Sequence, residues 1–353
     1  MVELRKFYKG KRVFVTGHTG FKGTWLVSSL LSFGAKITGY SLNDNRRKTY
    51  ESMCDFKKVK NIYKDVLNLK DLKKTLKTIK PEIVFHLAAQ PLVSESYKKP
   101  YLTVQTNLIG TLNLIESAKN IASLKSLVIV TSDKCYQNNE VERGYKETDR
   151  LGGEDPYSAS KAAAEIICNS YLKSNLINIK KTGFATARAG NVIGGGDWSK
   201  DRVIPDCIKS IINKKKLIIR NPNATRPWQH VLEPISGYLL LSKKIFFKPN
   251  KFSSAWNFGP QNNQTLTVQK VVNIFFNELN IKKYINNKKG FFKESKLLKL
   301  NSNKSKNILK WKNTWSMKKS IEETAFWYNN FLKKKDLKKI TSIQVNKYFN
   351  KYD

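Results

Sequence analysis

Lys11-Arg-Val-Phe-Val-Thr-Gly-His-Thr-Gly-Phe-Lys-Gly, residues 11–23, is the stretch on which the fold of this chain turns. Residues 11–16 form a short apolar run rich in β-branched and aromatic side chains, which predicts a strand. Gly17, Gly20 and Gly23 follow, and the amphipathic segment from Phe21 to about Phe33 predicts a helix. Residues without a Cβ let backbone approach a pyrophosphate, and a helix N-terminus offers free N–H groups and its positive end to the same anion. A glycine triplet alone is a weak signal. Placed between a strand and a helix near the start of the chain, it reads as a phosphate-binding turn.

Working outward, Lys36 to Leu42 reads as a second strand. A dinucleotide fold usually sets an acidic residue at its end to hold the adenosine ribose. This chain offers Ser41 there, with Asp44, Arg46 and Arg47 beyond, so the residues leave NAD and NADP both open. Arg46 and Arg47 read most simply as a solvated loop. Ile62 to Val66 reads as a short strand ending in Asp65-Val66, followed by a helix to Lys80 and a strand in Glu82-Ile-Val-Phe-His-Leu-Ala-Ala-Gln. That order predicts an α/β fold: a Rossmann-type, doubly wound parallel sheet with helices on both faces, followed by a smaller C-terminal substrate-binding domain. The small residues Ala88 and Ala89 suit close passage of a cofactor over the sheet edge. His86 reads as a packed core histidine, and His18, His86 and His230 are too scattered for a metal site.

With 353 residues and 40% hydrophobic composition, the chain can bury a sizeable core. No apolar stretch is long enough to span a bilayer, and the N-terminus lacks a secretory signal, which predicts a cytoplasmic protein without membrane attachment. Cys54, Cys135, Cys168 and Cys207 lack Cys-x-x-Cys spacing and read as reduced thiols. The 65 Lys and Arg against 27 Asp and Glu give a net charge of +38, which invites a nucleic-acid partner. The distribution argues otherwise. Between Leu69 and Ile79 the apolar residues Leu69, Leu72, Leu76 and Ile79 recur at helical spacing while lysines take the other side, and no single basic block or nucleic-acid motif stands out. A positive field still suits an anionic small substrate.

Leu127-Val-Ile-Val-Thr-Ser-Asp-Lys sets Ser132, Asp133 and Lys134 at the carboxyl end of a buried strand, the edge where ligands bind in open α/β sheets. Ser and Asp also favour plain strand-to-loop turns. Asp155-Pro156 then starts a helix in favourable form, N-cap followed by proline at the first position, so that Tyr157 and Lys161 share one face. At that spacing an ammonium can stabilise a phenolate, and the phenol can take a proton from a sugar hydroxyl as hydride leaves the same carbon.

These motifs resemble those of the extended short-chain dehydrogenase/reductases and, within them, the CDP-glucose 4,6-dehydratases. The resemblance runs along nearly the whole chain, through residues 11–23, His86-Leu-Ala-Ala-Gln-Pro-Leu-Val, Thr131-Ser-Asp-Lys-Cys-Tyr, Arg188-Ala-Gly-Asn-Val-Ile-Gly-Gly-Gly-Asp-Trp and Arg226-Pro-Trp-Gln-His-Val. It implies NAD held by Gly17, Gly20, Phe21, Gly23, Ser41, Asp65, Val66, Leu87, Ala88, Ala89, Tyr157 and Lys161. It also implies a cycle without net redox change. Tyr157 takes the C4 hydroxyl proton while NAD accepts the C4 hydride, Lys161 orients the nicotinamide ribose and Ser132 hydrogen-bonds the reacting oxygen. Lys134 then removes the C5 proton, Asp133 protonates the departing C6 hydroxyl, and hydride returns to C6, leaving a 4-keto-6-deoxy sugar for surface polysaccharides such as the lipopolysaccharide O-antigen. The dTDP-glucose dehydratases carry an Asp-Glu pair where this chain has Asp133-Lys134.

The nucleotide diphosphate is expected against Asn191, Arg202, Arg220 and Arg226, arginines being suited to paired hydrogen bonds with phosphate oxygens. Arg202 alone reads equally well as a solvated surface residue. The expected division is 1–190 for the NAD-binding domain with 232–258 returning to it, and 191–231 with 259–332 for the substrate domain. Gly194-Gly195-Gly196-Asp197-Trp198 marks the passage between them, and 333–353 is left unassigned. The resemblance further implies a homodimer or homotetramer. A nucleotide-sugar 4-epimerase shares the glycine turn, Tyr157 and Lys161 but needs neither a C5 base nor a C6 acid, so Asp133-Lys134 discriminates against it. A catalytically silent NAD-sensing or RNA-binding protein on the same fold is disfavoured by the intact Ser132, Tyr157 and Lys161.

Overall fold

The computed structural model describes residues 2–43, 50–219, 221–260, 265–281, 285–287 and 297–350. Arg220, one of the expected phosphate ligands, and Asp44, Arg46 and Arg47 lie outside the described residues. Seven strands make one parallel sheet: β1 Arg12–Thr16, β2 Lys36–Ser41, β3 Lys60–Tyr63, β4 Ile83–His86, β5 Ser126–Val130, β6 Gly183–Ala189 and β7 Ala255–Phe258. Their spatial order is β3-β2-β1-β4-β5-β6-β7, with the reversal of direction between β1 and β4. That reversal opens a crevice at the carboxyl ends of the strands, where ligands bind in such sheets.

Both faces of the sheet are covered, and the alternation of side chains shows it. Val13, Val15, Phe85, Val128, Val130, Ala185 and Ala187 enter one core, while Phe14, Val84, Leu127, Ile129 and Phe184 enter the other. The first core takes helices α1 Val2–Tyr8, α2 Phe21–Ser32 and, later in the chain, Leu232–Phe247 and Leu337–Asn350. The second takes Leu69–Ile79, Gly110–Ala118 and Pro156–Lys173. In Leu69–Ile79 the expected lysine-bearing face is outward and Leu72 and Leu76 are fully buried, with Asn68 capping the helix by accepting from the Asp71 N–H at 3.0 Å.

One expected strand is shifted. The segment expected as Ile62 to Val66 pairs instead over Lys60–Tyr63, in register with Thr38 to Ser41. Asp65 already belongs to a turn, its carboxylate accepting from the Leu67 N–H at 2.9 Å, and this local bond competes with continuation of the strand.

Two helices at the chain ends escaped the sequence reading. Leu337–Asn350 lies in the stretch left unassigned, and it seats Val345, Tyr348 and Phe349 in the first core. Phe349 meets Phe33 edge to face at 5.0 Å, and Arg5 of the N-terminal helix donates to Asn346 and Asn350. The C-terminal helix therefore braces α2, the helix that follows the glycine turn. Among the described residues no helix is long and apolar enough to cross a membrane.

Truncating Phe349 to alanine empties a fully buried aromatic site. Phe349→Ala is expected to lower the unfolding free energy by about 3–5 kcal/mol, read as a lower urea midpoint at unchanged denaturant slope.

Candidate functional site

The glycine turn is built by close backbone approach. Gly17 has φ +69°, and a Cβ there would lie 2.7 Å from the Ala88 nitrogen, at the end of β4. A Cβ on Gly23 would lie 2.0 Å from the Gly17 carbonyl oxygen. Glycine is thus required at both positions, at the first by conformation and space and at the second by space. Gly20 precedes the first helical residue, Phe21, so the N-terminus of α2 opens onto this cradle. The residues fit a dinucleotide pyrophosphate, which needs backbone N–H groups and no side-chain bulk. Thr16 anchors the other side: its hydroxyl oxygen accepts from the Leu87 and Ala88 N–H groups, each at 3.2 Å.

Ser41 stands beside the turn, but its hydroxyl is occupied. It lies 2.7 Å from His18 Nδ1, while His18 Nε2 lies 3.0 Å from Asn61 Oδ1. Burial pulls His18 down to about 4, so its ring is neutral at physiological pH. His86 behaves as the expected core histidine. It is buried between Thr16 and Thr111, at 2.7 and 3.2 Å, and burial pulls it down to about 3. Val66 is buried, with its methyl packed where a Gly110 side chain would fall.

The turn after β5 is a single 3-10 turn, Asp133–Cys135, capped by Ser132, whose hydroxyl accepts from the Lys134 N–H at 3.2 Å and donates to Asp133 Oδ1 at 3.0 Å. Asp133 Oδ2 lies 2.9 Å from where a Cβ on Gly190 would be, so the carboxylate rests on bare backbone at the end of β6. Burial raises the Asp133 carboxyl above its ordinary range; Lys134, the Ser132 hydroxyl and Lys22 oppose that shift. Lys134 is half-buried beside it.

Tyr157 and Lys161 follow as expected on helix Pro156–Lys173, with Asp155 at the N-cap accepting from the Ser158 N–H at 2.9 Å. Both side chains are buried, at 8% and 6% exposure. Burial pushes the Tyr157 phenol up to about 12, against the pull of the Ser132 hydroxyl and the Arg202 guanidinium. Burial also pulls Lys161 down to about 8, and Glu165 on the same helix is the largest opposing influence. The structure therefore brings Ser132, Asp133, Tyr157 and Arg202 into one another's electrostatic reach.

Arg202 is not a free surface arginine. Its guanidinium donates to Asp197 Oδ2 at 2.9 Å, and the Asp197 carbonyl accepts from the Tyr328 hydroxyl at 2.6 Å. Asn191 and Arg226 stand further along. The Asn191 carbonyl accepts from the Gln229 N–H at 3.3 Å, and Val192–Ile193 pairs with Gln229–His230, which draws residues 191–193 and 225–230 together. Arg226 donates to the Thr225 carbonyl at 2.9 Å.

Two residues of the site went unread in the sequence. Lys22, inside the glycine turn, is half-buried, and burial pulls it down to about 8, with Arg202 and Lys161 adding to that shift and Asp133 opposing it. Asn107 lies in the π-turn Gln105–Ile109, where its amide donates to Ser160 Oγ at 2.9 Å and accepts from the Gln90 N–H at 2.8 Å. It bridges the loop after β4 to the Tyr157 helix. A lysine beside glycines and an asparagine in an apolar helix carry no spacing signal that would single them out.

The family model described as GDP-mannose 4,6 dehydratase matches residues 14–324. The chain is 38% identical to the CDP-glucose 4,6-dehydratase of Salmonella typhimurium over 98% of each chain. It is 26% identical to a dTDP-D-glucose 4,6-dehydratase of Dictyostelium discoideum, over 91% of this chain and 82% of that one. Among solved structures, an epimerase of Methanothermobacter thermautotrophicus superposes with TM-score 0.82 at 22% identity, covering 94% of this chain and 96% of that one. The dTDP-glucose 4,6-dehydratase of Bacillus anthracis in complex with NAD gives 0.75 at 23%, covering 91% and 97%.

Because a Gly17 side chain would strike the Ala88 backbone, Gly17→Ala is expected to weaken NADH binding by at least about tenfold, followed by quenching or enhancement of nicotinamide fluorescence.

Proposed function

The chain belongs to the GDP-mannose 4,6 dehydratase family, within the extended short-chain dehydrogenase/reductases, and from that membership we propose that it dehydrates CDP-glucose to CDP-4-keto-6-deoxyglucose. The observation that carries the reaction type is the turn after β5: a buried Asp133 carboxyl fixed by Ser132 against Gly190, followed at once by Lys134. An epimerase needs neither group. The CDP base is supported by the 38% identity to the Salmonella enzyme.

In this proposal NAD lies in the glycine cradle, where it supplies the acceptor and later the donor of hydride and the positive charge of its oxidised ring. Tyr157 takes the proton of the C4 hydroxyl while the Ser132 hydroxyl holds that oxygen. Lys161, one helical turn on, supplies fixed positive charge beside the developing phenolate. The resulting 4-keto group acidifies C5–H, and the Lys134 amine removes that proton and returns one to C5 after water has left. Asp133, whose carboxyl burial raises, gives a proton to the departing C6 hydroxyl, which leaves as water. Arg202 and Arg226, with Asn191, are assigned to the diphosphate. Arg220 joins them on the sequence pattern alone.

The division of labour follows the sheet. Residues 1–190, with 232–258 returning as a helix and the seventh strand, hold the cofactor; 191–231 and 259–332 take the nucleotide sugar. Cys54, Cys135, Cys168 and Cys207 are buried free thiols, in keeping with a reducing cytoplasm. The product's role as a deoxysugar precursor for surface polysaccharide belongs to the same proposal. Tyr97, Tyr101 and Leu102 are exposed on the short helices Val93–Lys98 and Pro100–Val104, and Ile166 on the neighbouring Pro156–Lys173, which supports a homodimer through that face.

Incubation with a panel of nucleotide glucoses is expected to show loss of one water from CDP-glucose by mass spectrometry; preference for a dTDP- or GDP-sugar overturns the substrate. Lys134→Ala is expected to slow solvent deuterium exchange into C5 by about 100-fold or more, and exchange at the wild-type rate removes Lys134 from the base role. The double variant Tyr101→Asp, Ile166→Asp is expected to sediment as a monomer where the parent sediments as a dimer or tetramer.

A further inference from the structure

Beneath the site lies a charged pair that the proposed mechanism leaves unused. Glu165 and Arg188 are 2% and 3% exposed, and Arg188 donates to Glu165 Oε2 at 2.7 Å. Glu165 Oε1 accepts from the Thr131 hydroxyl in a short bond, and Oε2 accepts from the Thr186 hydroxyl at 2.7 Å. Thr131 immediately precedes Ser132 at the end of β5, and Thr186 lies in β6. On its other nitrogen Arg188 donates to the Tyr136 hydroxyl at 2.7 Å and stands 4.9 Å over the Tyr136 ring. Tyr136 follows the Asp133–Cys135 turn. The turn bearing Ser132, Asp133 and Lys134 is therefore gripped on both flanks, at Thr131 by Glu165 and at Tyr136 by Arg188.

A buried ion pair is a poor device for stability, since apolar residues of equal volume often serve as well or better. Its value here is in position and charge. Glu165 sits one helical turn beyond Lys161. The other ionisable groups that bear on Lys161 are Cys168 on its own helix, Cys135 in the turn after β5, His86 in β4 and Lys22 on α2. Burial keeps both thiols and His86 neutral, and Lys22 is a cation. Among these groups Glu165 alone brings negative charge.

We propose that Glu165, locked by Arg188, is the positioning residue of this site: one carboxylate ties the ends of β5 and β6 to the helix of Tyr157 and Lys161 and serves as the fixed counter-charge of the Lys161 ammonium. The proposal rests on the assignment of Tyr157 and Lys161 to the chemistry. Its first test needs no substrate, so it is independent of the sugar nucleotide chosen. Lys161 is titrated by NMR of lysine-labelled full-length protein, its resonance assigned by loss in the Lys161→Arg variant. Glu165→Gln is expected to move that titration down by about one pH unit or more, and Glu165→Asp, which keeps the charge, to leave it within about 0.3 unit. An unmoved titration in folded Glu165→Gln overturns the counter-charge.

Thr131→Val tests the tether, because it removes one hydrogen bond, keeps the Glu165 charge and is the variant to use should Glu165→Gln not fold. It is expected to lower kcat for dehydration about 3- to 10-fold with KM and the Lys161 titration unchanged. A wild-type kcat in Thr131→Val overturns the tether, and so does a kcat loss accompanied by an equal rise in KM. Absence of dehydration by the parent protein with every nucleotide glucose refutes the proposed function instead, and the Lys161 titration still decides the counter-charge.

Discussion

The rest of the structure depends on one close contact, that of Gly23 on the carbonyl of Gly17. An ideal Cβ at Gly23 would stand 2.0 Å from that oxygen, so any side chain would force α2 away from the turn. Docked as it is, the helix aims its N-terminus into the crevice between β1 and β4 and buries Trp25, whose indole N–H donates to the Gly195 carbonyl at 2.9 Å. Gly195 is itself compressed: a Cβ there would fall 2.0 Å from the Trp327 ring. Trp327 and Tyr328 belong to the helix Met317–Leu332, and Tyr328 holds the Asp197 carbonyl while Asp197 holds Arg202. Backbone packing at residues 17 and 23 thus sets, through Trp25 and Gly195, where the guanidinium of Arg202 stands.

Burial is the second constraint, and it acts oppositely on the acid and the amine. Taking ionisable groups out of water disfavours their charged forms. Asp133 is raised toward its neutral form, while Lys161 is lowered to about 8, which still leaves an ammonium at neutral pH. Groups driven toward one another's range in this way are what proton transfer at neutral pH requires. Tyr157 shows the cost. Burial pushes the phenol up to about 12 even with the Ser132 hydroxyl and the Arg202 guanidinium pulling it down.

The sheet was legible because its signals are local. Apolar runs, glycines at fixed offsets and the Asp155-Pro156 cap each report on a few residues, and the structure repeats them in β1, α2, β5 and the Tyr157 helix. What was not legible depends on partners distant in sequence. Helix Leu337–Asn350 alternates lysines with apolar residues in a way that resembles a solvated tail, and only its packing on Phe33 and α2 shows that it belongs to the core. The end of β3 was misplaced by three residues because Asp65 prefers a turn, which an apolar run does not register. Lys22, Asn107, Glu165 and Arg188 meet their partners only when α2, the strands and the Tyr157 helix are assembled. Arg188 was quoted as part of a motif, yet its partner Glu165 lies 23 residues upstream on a helix face that periodicity assigns to packing.

The net charge of +38 bears on this site less than its size suggests. The lysines of Leu69–Ile79 lie on a solvated face, and beyond about 8 Å at physiological ionic strength exposed charges are largely screened. Such charge speeds the approach of an anion without selecting it. In the proposed function, selection falls to cations that water screens less: Lys22 and Lys161, each lowered by burial, and Arg202, paired with Asp197. Against them stand three buried carboxyls, Asp133 in the turn after β5, Asp197 beside Arg202 and Glu165 beyond Lys161. Crowding Lys22, Lys161 and Arg202 together is by itself unfavourable, because like charges at low dielectric repel. It becomes favourable when negative charge arrives with the diphosphate and again when it gathers on the C4 oxygen during loss of the C5 proton. The surface lysines could therefore be exchanged for neutral residues with a change in on-rate alone, whereas the inner cations set what the site can hold.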